Sequence, residues 1–423
     1  MVLSRPDARF DVGHQTRNFM AESLLSLVDL EVRRGMGVVI SDFNLEVASK
    51  DVVVLHGENG SGKSTVIESC ARLLPLEKGS IYHHGSLVVD CEGRRKSAKH
   101  PFGLTLQRNG LLGDETVENH LMTVCALSEK KADLLPMLEA YGLGHRRYDR
   151  IGQLSGGQAR KVAVLAGLLP AMVSNEPRLV FLDEPDAGLD ENALSALVSH
   201  IELLRNAGHA FIIASHHAKI MQCATRLHDL EAETKQPHSD GESWSVVGIE
   251  EKTSLLSTRT GHRYLRSTRA GLARNGLTAL LAIGTLLAFI DPSTIENQTV
   301  LFGFVLAPPF AAGLAGDPVV YLMREQRAVD WWRAHVNRLP SADLSAPTLG
   351  FILSALGGVL FLDGVNWELS LIGAGILWLT LTCVRFIELS TLRLARPNAV
   401  FIKLLVPILI LPWALVVEYA ATM

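Results

Sequence analysis

The chain lacks any close cysteine pair. Its five cysteines, Cys70, Cys91, Cys125, Cys223 and Cys383, are scattered with no CxxC spacing. They provide no metal or disulfide framework and fit a reduced compartment. The N-terminal stretch "MVLSRPDARFDVGHQTRNFM" has no apolar core, which excludes a secretory signal. Net charge is only −4, so a generally basic, nucleic-acid-binding surface is excluded too. What is abundant is apolar: 48% of the 423 residues are hydrophobic and the mean hydropathy is +0.21. The length predicts two or more domains, and the hydropathy predicts that part of the chain sits in lipid.

Four zones follow. Residues 1–19 read as a disordered leader and 20–230 as an α/β domain. Residues 231–262 read as a polar linker containing "KQPHSDGES", and 263–423 as an all-α membrane domain. In the second zone, β-branched runs such as "DVVVLHG", "RLVFLDE" and "AFIIASHH" alternate with helical stretches, the pattern of buried parallel strands.

The fourth zone holds five apolar runs: Gly276–Ile290, Val300–Gly316, Pro347–Leu362, Leu369–Ile387 and Ala399–Val417. They could be buried core helices or membrane spans, which need about 20 apolar residues. Charge placement favours spans. Arg263, Arg266, Arg269 and Arg274 precede the first run. Arg324, Arg327, Arg333 and Arg338 lie between the second and third, and Arg385, Arg393, Arg396 and Lys403 cluster between the fourth and fifth. The connections "DPSTIENQT" and "DGVNWE" and the tail "EYAATM" have no lysine or arginine. Five spans with a cytoplasmic N-terminal domain and an outside C-terminus satisfy the positive-inside rule.

"VVVLHGENGSGKST" is a strand followed by GxxxxGKS and a helix start. Here Gly57, Glu58, Asn59, Gly60, Ser61 and Gly62 form a loop whose N–H groups wrap phosphates. Lys63 reaches the β/γ oxygens, and the Ser64 hydroxyl ligates Mg²⁺. "RLVFLDEP" supplies Asp183 for the Mg²⁺ shell and Glu184 to orient or activate water. A glycine-rich turn that binds nothing is the bland alternative. Lys-Ser in register behind a β-branched run argues against it. His83-His84 reads as a surface pair and His217 as solvated.

A third motif, "QLSGGQARKVAVLAG", resembles the signature of ATP-binding-cassette (ABC) ATPases over Leu24 to Leu230. The resemblance implies an ATP hydrolase with Mg²⁺. Gln107 would be the Q-loop residue that also approaches the metal, Thr65 would complete the phosphate loop, Asp190 would sit in the D-loop and His216 would be the switch histidine. Ser155, Gly156, Gly157 and Gln158 would close ATP against a partner cassette, so a homodimer or heterodimer is implied. The family's adenine-stacking aromatic is missing. None precedes Phe43 in "LEVRRGMGVVISDF", and Arg33 or Arg34 could offer a guanidinium plane instead.

The segment "REQRAVDWWRAHVNRLP" (324–340) interrupts the apolar zone. Leu322, Val329, Trp332, Val336 and Leu339 share one helical face, with Trp331 to the side, which predicts an amphipathic helix along the inner membrane surface. It also resembles the Arg-Glu-rich helix of ABC-2-type exporters, which docks on the cassette and transmits its movement. The chain is thus identified as an ABC-2-like half-transporter of the cell inner membrane, with a bilayer as partner. Five spans where that class has six imply a missing span or an additional membrane subunit. "LEVRRGMGVVISDFNLEV", "GENGSGKST" and "ETVENHL" are similar to the haem-exporter ATPase of cytochrome c maturation. Export of haem, or of a lipid, polysaccharide or drug, competes with a membrane-anchored ATPase that regulates or remodels a partner without transport.

Overall fold

The computed structural model describes residues 23–229, 232–238, 241–250, 266–289, 291–316, 320, 328–336, 345–391 and 406–422. The expected leader lies outside these residues. Two compact units divide the chain: Met1–Thr260 with Gln326–Leu339, and Gly261–Glu325 with Pro340–Met423.

The first unit is built on two sheets. Strands β1 (Leu25–Arg34), β2 (Gly37–Val47), β4 (Lys78–His83) and β5 (Ser86–Asp90) form an antiparallel sheet in the order β2-β1-β4-β5. The second sheet contains β3 (Val52–Leu55), β6 (Gly103–Thr105), β8 (Leu179–Asp183), β9 (Ala210–Ala214), β10 (Arg226–Asp229) and β11 (Ala232–Lys235). Its order is β11-β10-β3-β9-β8-β6, parallel from β10 to β6, with β11 antiparallel at the edge. Every residue of β3, β6, β8 and β9 is buried, which explains the largely apolar sequences of β3, β8 and β9: a parallel strand is covered on both faces.

The segment expected as a linker folds in part onto this unit. It supplies β11, and β12 (Gly248–Glu250) pairs antiparallel with β7 (Lys130–Ala132). Trp244 donates from Nε1 to Met172 O at 3.0 Å.

The second unit is helical: Arg266–Phe289, Gln298–Leu314, Ser345–Phe361, Trp367–Thr391 and Ile410–Thr422. Four of the five apolar runs coincide with a described helix, and Ile410–Thr422 carries the end of the fifth. Among the described residues, two stretches, Gly271–Phe289 and Trp367–Ser390, are long and apolar enough to cross a membrane, while the other described apolar helices are shorter. The five-span count is therefore not supported by length. Small residues let these helices touch. A Cβ on Gly373 would come 1.8 Å from Ser354 Oγ, and one on Gly350 would come 2.6 Å from Gly373 O. Leu371, Phe386 and Leu415 stay exposed.

Residues 328–336 carry the main correction. Ala328–His335 is a helix, but it belongs to the first unit. Trp331 and Trp332 are each only 2% exposed. The side chain of Trp331 is pressed onto Gly110, where a Cβ would meet Trp331 Cβ at 3.0 Å. His335 stacks between Trp331 and Phe102, with centroids at 4.3 and 4.9 Å, and its Nε2 lies 3.1 Å from Phe102 O. Buried Arg72 donates from Nη2 to Ala334 O at 2.5 Å, satisfying a carbonyl in the last turn. The tryptophans expected at the headgroup level thus contact protein, and both are buried, not Trp332 alone. Leu322 and Leu339 lie outside the described residues, as do Arg324, Arg327 and Arg338.

His83 is likewise no surface residue. It is buried against Phe102 and Phe181, with Nε2 3.0 Å from Cys70 O. His217 caps the helix Ala218–Gln222 by accepting from Lys219 N.

Candidate functional site

Strand adjacency assembles the site. β3, β9, β8 and β6 are consecutive neighbours running parallel, so their C-terminal ends share one edge of the sheet. The phosphate loop leaves β3, His216 follows β9, Asp183 ends β8, and Gln107 follows β6. Ligands gather at that edge in open parallel sheets because the loops and helix N-termini converge there.

The loop residues Gly57 to Gly62 turn the chain into the helix Lys63–Cys70. Gly57 has φ +125°, and a Cβ there would lie 2.6 Å from Asp229 Oδ1. Gly62 caps the helix with φ +109°. Both positions therefore require glycine. Lys63 donates from Nζ to Gly57 O (2.7 Å) and Glu58 O (2.8 Å), which leaves one of its three protons for a phosphate. Ser61 Oγ is buried without a hydrogen-bond partner.

Ser64 donates from Oγ to Asp183 Oδ1 at 3.0 Å, joining two motifs 119 positions apart. Asp183 Oδ2 is buried and has no hydrogen-bond partner. Burial pushes the Asp183 carboxyl up to about 6, against the opposing pull of the Ser64 hydroxyl. An orphaned carboxylate oxygen beside a hydroxyl fits Mg²⁺, which takes few protein ligands and completes its shell with water and phosphate. When bound, the ion would supply charge neutralisation between the phosphates; Ser64 and Asp183 would hold it. The Gln107 side chain is exposed, and none of the described hydrogen bonds joins it to Ser64 or Asp183.

Glu184 has a left-handed backbone, φ +49°, held by Glu184 N donating to Ala214 O at 2.9 Å. The next loop is tied to β9 by Ser215 Oγ donating to Asp186 Oδ1 at 2.7 Å. His216 itself is exposed at this edge.

The signature motif opens the helix Gly156–Met172. Ser155 and Gln158 form a capping box: Gln158 N donates to Ser155 Oγ (3.3 Å), and Ser155 N donates to Gln158 Oε1 (3.1 Å). Ser155 and Gly156 are exposed, and a Cβ on Gly157 would meet Gly188 O at 2.8 Å. Asp190 caps the next helix by accepting from Ala193 N, and it pairs with Lys161 at 2.5 Å. That ion pair and the cap hold its carboxyl below the usual range.

Two residues, Arg160 and Arg72, were not read in the sequence, and the partners of Arg34, named there only as a possible stacking group, were not foreseen. Arg34 donates from Nε to Thr65 Oγ1 (3.0 Å) and from Nη2 to Glu68 Oε2 (2.6 Å), which places its guanidinium beside the phosphate-loop helix. Arg160 links the strands' ends, as developed below. Its only sequence signal is a charge within the apolar stripe Val164–Gly167 at i+4 and i+7. Arg72 meets the Ala328–His335 helix, and burial pushes its guanidinium down to about 10.

The ABC transporter family matches residues 40–187. An ABC transporter ATP-binding protein from Halobacterium salinarum, VNG_2317G, described as putative, is 31% identical over 202 residues, 46% of this chain and 82% of its own length. The chain belongs to this family through its ATP-binding cassette, and it is an ATP hydrolase. The lipoprotein-releasing system ATP-binding protein LolD of Hyphomonas neptunium is 30% identical over 200 residues, 45% of this chain and 84% of the relative. The macrolide export ATP-binding/permease protein MacB of the same organism is 27% identical over 65% of this chain and 41% of its own length. The chain spans less than half the length of the MacB relatives it matches. A solved ATP-binding subunit of an ABC transporter is 25% identical, with a TM-score of 0.42, covering 50% of this chain and 90% of that one. A dimeric cassette, MJ0796, gives 18% identity and a TM-score of 0.43, covering 51% and 100%.

Proposed function

We propose that the chain is a half-transporter that couples ATP hydrolysis to export across a membrane, working as a dimer. The observation that carries this is the Ala328–His335 helix. The chain leaves the helical unit at Glu325, contributes 326–339 to the cassette unit, and returns at Pro340. Trp331 thereby rests on Gly110, three residues beyond Gln107. A movement of that loop during the nucleotide cycle would be felt by the Ala328–His335 helix, which packs on it within the same unit. A membrane location draws support from the two long apolar helices and from MacB and LolD.

In the site, Gly57–Thr65 hold the phosphates of ATP, Ser64 and Asp183 hold Mg²⁺, and Glu184 orients the attacking water with His216 nearby. Ser155 and Gly156, exposed at a helix N-terminus, present N–H groups and a hydroxyl to the nucleotide of a second cassette. The names of the relatives give haem cargo no support. Macrolide-like drugs and lipid-linked cargo are the first classes to test.

A second reading, a membrane-anchored ATPase that remodels a partner, is favoured by one observation: among the described residues, three of the apolar helices are shorter than a span. Proteoliposomes loaded with ATP and Mg²⁺ separate the two. Transport predicts ATP-dependent movement of a radiolabelled macrolide or fluorescent lipid that Glu184→Gln abolishes. Hydrolysis with no such movement, accompanied by nucleotide-dependent capture of a membrane protein, supports the second reading.

A further inference from the structure

Arg160 lies in the second turn of the signature helix and is only 4% exposed. The helix is pressed onto β6, where a Cβ on Gly103 would come 1.9 Å from Gly167 O, and Thr105 Oγ1 donates to Ala163 O at 3.1 Å. This contact aims the guanidinium at two segments at once. Nη1 donates to Leu106 O (2.7 Å) and to Asn109 Oδ1 (3.0 Å). Nη2 donates to Asp183 O (2.5 Å) and to Glu184 O (2.7 Å). Burying a cation here carries a desolvation cost, visible as a lowered pKa, partly offset by Asp183, Asp186 and Glu184.

We propose that Arg160 is a positioning residue for hydrolysis: it fixes the main chain of Glu184 and ties it to the 106–110 loop against which Trp331 packs. Glu184 is left-handed, a conformation that a residue with a Cβ keeps only when its surroundings hold it. Its N–H is held by β9 and its carbonyl by Arg160. A shift of Asn109, next to the Gly110 contact, would pull the same guanidinium. A planar fork directs two nitrogens, each with two N–H donors, at the two segments; an ammonium has three donors on one nitrogen, too few for these acceptors. The inference rests on Glu184 being the water-orienting group.

The test is steady-state ATPase of the full chain in lipid nanodiscs, with ATP affinity measured separately. Arg160→Lys keeps the charge and loses the fork. Misplacing a reacting group by about 1 Å costs on the order of 100-fold in rate, so kcat should fall by roughly that factor while KM stays within about twofold. Added to Glu184→Gln, Arg160→Lys should cost nothing further in the residual rate, because its effect passes through the lost carboxylate. Losses that multiply, or a wild-type kcat in folded Arg160→Lys protein, overturn the proposal. Should that variant not fold, Asn109→Ala decides. It should lower kcat at unchanged KM only when Glu184 is present, and an unchanged kcat overturns the proposal. Glu184→Gln alone keeps the two readings apart. Wild-type turnover there refutes the role of Glu184. Arrested turnover there, together with full turnover in Arg160→Lys, refutes only the positioning role.

Discussion

Replacing Trp331 by alanine tests whether the Ala328–His335 helix is held by the cassette. Trp331 is 2% exposed, lies against Gly110, stacks on His335 and sits with its centroid 5.5 Å from that of His120. Removing a buried aromatic of this kind costs about 3–5 kcal/mol. At about 1.4 kcal/mol per tenfold, the docking equilibrium should fall by roughly 10²-fold to a few thousand-fold. Limited trypsin digestion of the full chain in liposomes reads this out at Arg333, within the docked helix, because trypsin cuts locally unfolded backbone far faster than folded helix. The alanine variant should be cut there far faster at unchanged ATP affinity, and its hydrolysis should no longer drive transport. Gly110→Ala attacks the same contact from the other side: it has φ +69° and would place a Cβ 3.0 Å from Trp331 Cβ. The two variants should be non-additive, because each breaks one shared interface. Unaltered cleavage in Trp331→Ala, or cleavage that follows lipid composition instead of residue 110, would refute docking and restore the lipid-anchor reading.

Glu184→Gln should retain ATP binding and lose turnover, while Lys63→Ala should weaken binding itself because the phosphates lose a cation; a turnover assay beside a nucleotide-binding titration checks both. Cassette stability should fall as pH drops from about 6.5 toward 4. Burial pushes His83 down to about 3 and His120 to about 4, so below about 6.5 the unfolded chain takes up protons that the folded one refuses. The loss at pH 5 is about 2 kcal/mol per histidine. Urea titrations at pH 7.5 and 5 measure it, and an unchanged midpoint contradicts it. A reporter fused after Met423 should lie outside the membrane if all twelve basic residues beyond Gly261 face inward. A cytoplasmic signal would require an even number of spans.

The sequence by itself determined the pieces whose chemistry resides in consecutive residues. Gly57–Ser64 needs glycines, a lysine and a hydroxyl within one turn; an apolar run ending in Asp183-Glu184 and the SGGQ helix start are equally local. Tertiary structure decided what those pieces meet. The Ser64–Asp183 hydrogen bond and the shared edge with Gln107 and His216 exist because β3, β9, β8 and β6 are neighbours in an order unrelated to their order in the chain. Arg160 drew no reading from the sequence; only the neighbouring ends of β6 and β8 bring the acceptors of the 106–109 loop and of Asp183-Glu184 to it. The Ala328–His335 helix was legible as amphipathic, but an apolar face does not state whether lipid or protein covers it. Both tryptophans are buried, and Gly110 and His120 cover Trp331, the one that a single-stripe reading leaves to the side. That selection rests on shape complementarity between distant segments, which hydrophobic periodicity does not encode.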